Sequence, residues 1–129
     1  MSLTSNTQLV APATGGRNLQ LTPNATADNA VVSGTHYLSS LILDNSLNAA
    51  QSFLKLYDAA APTVGTTAPD LVFRVEASQK IQVTFHKNKP KFTTALSLCC
   101  VTAGGTGGVT SPTSTVSLGL VVQTSDDAT

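Results

Sequence analysis

The chain has 129 residues, seven Lys or Arg against seven Asp or Glu, and a charged fraction of only 11%, where soluble domains average about 25%. That length suits a single domain. The zero net charge argues against a nucleic-acid binder, which carries a basic stripe, and no apolar run approaches the roughly 18 residues of a membrane span.

Met1-Ser2-Leu3-Thr4-Ser5 lacks the basic-then-apolar order of a signal peptide, so we expect synthesis and folding in a cytoplasm. Residues 1–30 are polar and rich in Ala, Thr and Asn, punctuated by Pro12, Gly15-Gly16 and Pro23. They read as an extended N-terminal arm with one short strand where Leu19 and Leu21 alternate with Asn18 and Gln20. The arm is too polar to form its own core. Its spaced apolar residues Leu3, Leu9, Val10, Leu19 and Leu21 are candidate anchors on a neighbouring subunit.

Residues 31–129 read as a β-sandwich domain. A first apolar stretch covers 31–43, and Asp44-Asn45-Ser46 marks a turn. Residues 47–54 allow one helical turn at most. Ser52–Asp58 alternates, with Leu54 and Leu56 on one face and Phe53, Lys55 and Tyr57 on the other. Residues 59–69 form an Ala/Thr/Pro/Gly loop. Two alternating runs follow, 70–76 with Leu71, Phe73 and Val75 on one face, and 80–85 with Ile81, Val83 and Phe85. Their short connection, Ala77-Ser78-Gln79, suggests a hairpin. Residues 86–91 are a basic loop, 92–103 a longer strand, 104–112 a flexible glycine-rich tip, and 113–123 a last strand carrying Val116, Leu118, Leu120 and Val122. No segment keeps helical spacing over three turns. Six or seven strands separated by turn signals predict an all-β fold, an antiparallel β-sandwich or jelly-roll-like barrel.

Chemistry-bearing motifs are scarce. His36 and His86 sit in no metal-ligand pattern. Asp44, Asp58 and Asp70 fall at strand ends, where aspartate serves turns, and no calcium loop is present. Cys99 and Cys100 are adjacent. They point to opposite faces of a strand and read as buried small fillers rather than as a disulfide. Gly104-Gly105-Thr106-Gly107-Gly108 precedes a strand, not the helix start a phosphate cradle needs. Asn24-Ala25-Thr26 matches a glycosylation acceptor only by pattern. Lys87, Lys89 and Lys91, with Lys80 nearby, form the one charge cluster; it reads as a solvated or gatekeeping loop, or as a contact for an acidic neighbouring subunit. No aromatic residues interleave with it for nucleic-acid stacking. We therefore expect a non-enzyme without cofactor or metal.

Phe53-Leu54-Lys55-Leu56-Tyr57-Asp58, the following Ala59-Ala60-Ala61-Pro62-Thr63-Val64-Gly65-Thr66, then Pro69-Asp70-Leu71-Val72-Phe73, and Ala95-Leu96-Ser97-Leu98 before the glycine-rich tip form a recurring order. In that order the chain resembles a family of small tailed-phage virion structural proteins. The resemblance covers about two thirds of the chain and leaves the arm outside. It implies a capsid decoration (cement) protein or a head–tail accessory protein, with no catalytic residues to transfer. Partners would be further copies of the chain, as a homotrimer, and the major capsid protein or another virion subunit. The location would be the virion, its capsid surface ahead of its tail. This sequence departs from the family at 86–91, where a Gly/Asn-rich turn is usual. Two other readings compete: a tail, neck or fibre adaptor of the virion, and a carbohydrate-binding β-sandwich module.

Overall fold

A computed structural model describes residues 16–126, and these form two antiparallel sheets packed face to face. Nine strands are present among the described residues: β1 (Arg17–Leu21), β2 (Asp28–Ser33), β3 (His36–Asp44), β4 (Ser52–Asp58), β5 (Leu71–Val75), β6 (Lys80–Thr84), β7 (Lys91–Phe92), β8 (Ala95–Val101) and β9 (Ser117–Gln123). The first sheet has the order β1-β9-β3-β6, with β7 also paired to β3; the second has the order β2-β8-β4-β5. No described segment is a helix long and apolar enough to cross a membrane.

Alternation decides which side chains meet between the sheets. In the first sheet Leu38, Leu41, Leu43, Leu118, Leu120 and Val122 point inward; in the second Leu54, Leu56, Leu96, Leu98 and Cys100 do. All are buried. Burying one Leu in this way contributes about 1.5–3 kcal/mol. The described part of residues 1–30 belongs to this body. β1 pairs in register with β9 from Arg17↔Val122 to Leu21↔Leu118, and β2 pairs with β8.

Four sequence expectations change. The runs 70–76 and 80–85 do not form a hairpin. β5 pairs with β4 and β6 with β3, so the connection between them crosses from one sheet to the other. Alternation told which face of each run is apolar, and both partners offered an apolar face. The stretch 31–43 is two strands, β2 and β3, divided at Gly34 with φ +79; a side chain there would be strained. The strand expected over 92–103 is likewise two, β7 and β8, broken at Thr93-Thr94, whose N–H groups turn to the Asp58 carboxylate. Residues 46–50 form turns rather than a helical turn. The buried Asn45 and Asn48 hold them: Asn48 Nδ2 donates to Asn45 Oδ1 at 2.9 Å, and Ser52 Oγ donates to the same oxygen at 2.8 Å.

Candidate functional site

The second sheet has apolar residues on both faces. Against its outer face lies a second cluster: Tyr57, Cys99 and Val101 are buried, with Ala25, Phe53, Ala59 and Val64 packed on them. Three segments build this cover. Residues 22–27 join β8 where the Cys100 N–H donates to Asn24 O at 2.9 Å. The loop after β4 is pinned by Ser97, whose hydroxyl donates to Ala59 O at 2.5 Å and accepts the Ala30 N–H at 2.8 Å. The glycine-rich segment folds back through the Thr102 N–H, which donates to Thr110 O at 3.0 Å. The sequence made this last segment a free tip; it is a fixed cover.

Lys55 fixes it. The side chain is fully buried, and its ammonium donates to Gly105 O at 2.5 Å and to Gly108 O at 3.3 Å. A buried charge is costly unless it is hydrogen-bonded, and carbonyls left bare by a glycine loop are suited to accept it. The alternation places Lys55 with Phe53 and Tyr57 on the face opposite Leu54 and Leu56, without saying what covers that face. A usable signal was there: Lys55 stands among Phe53, Tyr57 and, on the next strand, Cys99, an outer face too apolar for water.

The same pocket holds Tyr57 and Cys99, with Tyr57 Oη 3.5 Å from Cys99 Sγ. Burial pushes both well up, and it pushes the Cys100 thiol up to about 12. A thiol is nucleophilic only as thiolate, so both cysteines stay protonated at neutral pH and act as packing. Cys100 faces the main core and Cys99 the outer cluster.

The three turn aspartates all bind backbone. Asp44 Oδ1 accepts the Ser46 N–H at 2.9 Å, and Asp70 Oδ2 accepts the Asp58 N–H at 2.7 Å. Asp58 accepts from Thr93, Thr94 and Ala95. Among the described residues no three His, Cys, Asp or Glu gather as metal ligands.

The residues expected to make assembly contacts separate. Leu3, Leu9 and Val10 lie outside the described residues. Leu19 and Leu21 pack against the chain's own core, because the β1–β9 register turns them inward. The three loop lysines do not act as one patch. Lys87 is exposed. Lys89 is buried, donating to His86 O at 3.1 Å and lying 3.6 Å from the Asp126 carboxylate. Lys91 sits 5.9 Å over the Tyr37 ring.

A surface the sequence did not single out lies between the edge strands β5 and β6. Leu71 and Phe73 from one sheet and Ile81, Val83 and Phe85 from the other face inward yet stay half-buried. Phe73 and Phe85 meet edge to face, ring centroids 6.4 Å apart. The opposite side of the sandwich is closed differently, since residues 22–27 connect β1 to β2 directly across it.

No protein-family model matches the chain, and no curated protein matches it either.

Proposed function

We infer that this chain is a structural protein of a phage particle, a decoration (cement) protein on the capsid that stabilises the shell through contacts with its own copies, as a homotrimer, and with the major capsid protein. The observation that carries this reading is the double burial of β4 and β8. Loops that would frame a ligand in a binding module instead close over the second sheet and are fastened by Lys55. The product is a rigid, weakly charged block. The order of motifs that resembles tailed-phage virion proteins runs through the same region, β4, its covering loop and β5, and supports the same reading.

The carbohydrate-binding alternative is disfavoured by the aromatics. Tyr57 and Phe92 are buried, and Tyr37, Phe53, Phe73 and Phe85 are half-buried. A sugar platform needs a well-exposed ring, and none of the six aromatic residues is exposed. A tail, neck or fibre adaptor would use the same block elsewhere on the virion, and location separates the two.

The test is imaging of purified particles with and without this protein. Cement function predicts added density at regular positions on the shell, and genome loss at a lower temperature when the protein is missing. Density confined to the tail would favour the adaptor. Particles lacking the protein altogether would overturn the reading.

A further inference from the structure

The half-covered side between β5 and β6 has a backbone component as well as an apolar one. Among the described residues β6 is an edge strand, hydrogen-bonded only to β3. The Asn45 N–H donates to Gln79 O, and the Phe85 N–H donates to Ser39 O, each at 2.9 Å. Residues 79 and 85 therefore face β3. In an antiparallel ladder the hydrogen-bonding direction alternates residue by residue. Residues 81 and 83 turn to β3 as well, and Lys80, Gln82 and Thr84 turn their N–H and C=O groups outward. A free row of this kind is a template for another strand.

We propose that β6 receives residues 3–9 of the arm of a second copy as an added antiparallel strand, which also covers Ile81, Val83 and Phe85. The proposal deepens the reading of the chain as a self-assembling virion protein and rests on its self-association.

Three facts favour this occupant. Residues 1–16 contain no charged side chain, so they meet no repulsion from Lys80 and Lys87, which flank the edge. In an extended segment Leu3, Ser5, Thr7 and Leu9 share one face. Leu3 and Leu9 are six positions apart, the same interval as Gln79 to Phe85, so both leucines would reach the apolar edge at the two ends of β6 while Ser5 and Thr7 add little bulk between them.

The third fact is where the arm begins, and it selects a second copy over the chain's own. β1 lies three strands away from β6, about 14 Å across the sheet. β1 runs parallel to β3 and antiparallel to β6, so Arg17 starts at the Thr84 end. An arm returning to its own β6 in antiparallel sense would have to begin its return at the Lys80 end. Leu9 beside Gln79 would stand nearly seven residues along the strand and four strand spacings across from Arg17, about 29 Å in a straight line. Residues 10–16 bridge that distance only at full extension, about 28 Å, with nothing left to round the edge of the sheet. A neighbour's arm has no such limit. Because donor and acceptor edges differ, the contact is head-to-tail, the kind that closes into a ring when the rotation between copies permits.

The test compares the full chain with Gln82→Pro and Leu9→Asp by light scattering, with circular dichroism to confirm that each variant is folded. Proline at position 82 removes an outward N–H that β3 does not use, and it obstructs an incoming strand. Leu9→Asp alters only the arm and serves if the proline variant does not fold. The expected result is an oligomer for the full chain and a loss to single-chain mass for both variants. A fluorescent peptide of residues 1–12 should bind the Leu9→Asp protein and bind Gln82→Pro at least tenfold more weakly. A full chain that is monomeric at every concentration, variants that remain oligomeric, or a peptide that binds both alike would overturn the exchange. Presence of Gln82→Pro on particles at normal occupancy would sink the exchange and leave the virion role standing. Peptide exchange as expected, with no protein on particles, would do the reverse.

Discussion

Lys55 is one residue whose replacement should be felt across a whole face of the molecule. Its ammonium is the donor for two glycine carbonyls, and its stem fills the space between Cys99 and the cover. Lys55→Ala leaves both a void and two unmet acceptors, and should cost about 3 kcal/mol in urea unfolding. Lys55→Met restores the volume but not the bonds and should fall between; an unchanged midpoint for Lys55→Ala would contradict the role. The aspartates set the response to acid. Burial disfavours the Asp58 carboxylate, but the N–H groups of Thr93, Thr94 and Ala95 outweigh it and hold its pKa below the ordinary value. Hydrogen bonds from Ser46 lower Asp44 in the same way. A depressed folded pKa contributes stability that is present above the unfolded value, about 3.9, and is lost as pH falls through the folded one. Asp28 is the opposite case, since burial raises it and its protonation favours the fold. Asp58→Asn should therefore flatten the loss of stability below about pH 4, and Asp28→Asn should raise stability at neutral pH. Unfolding midpoints measured from pH 2 to 7 check both signs.

At the scale of elements, the glycine-rich cover makes a sharp contrast between neighbours. A Cβ at Gly108 would stand 2.4 Å from the Ala103 carbonyl oxygen, whereas one at Gly105 would meet nothing within 4 Å. Gly108→Ala should force the loop off Lys55 and cost roughly 1–3 kcal/mol. Gly105→Ala should leave the thermal midpoint within about a degree or two, a few tenths of a kcal/mol. If both variants behave alike, the cover is not held as described. The same segment shows what sequence patterning can and cannot convey. Period-two alternation made β4, β5, β6 and β9 legible, because each has one face in the main core. It carried no information on partners, so β5 and β6 were joined as a hairpin although they belong to different sheets. The outer cluster was illegible for a related reason. Phe53, Lys55 and Tyr57 alternate with Leu54 and Leu56 as a solvent face does, and only loops distant in sequence convert that face into interior. The half-covered edge was equally hidden, since Ile81 and Phe73 look like any other core positions until the strand order leaves their strands without outer neighbours among the described residues.

Over the whole molecule, two cores share the central strands β4 and β8, which raises the question of whether they open together. The main core is bounded by ladders on both sides. The outer cluster is bounded on one side by loops, whose hydrogen bonds are few and partly at the surface. Regions with fewer buried apolar contacts and more exposed backbone bonds open at lower free energy. Cys99 and Cys100 report on the two cores separately, being adjacent in the chain and on opposite faces of β8. Both are fully buried and held as neutral thiols, so neither should react with a thiol reagent while its own core is closed. We expect Cys99 to be modified at least tenfold faster than Cys100 under native conditions, a difference of about 1.4 kcal/mol in opening free energy. Mass mapping of the labelled protein reads the two sites, and Lys55→Met should widen the gap by freeing the cover while the main core stays closed. Equal rates for the two thiols, unchanged in Lys55→Met, would mean that the sandwich and its cover open as one unit and that Lys55 is not what separates them.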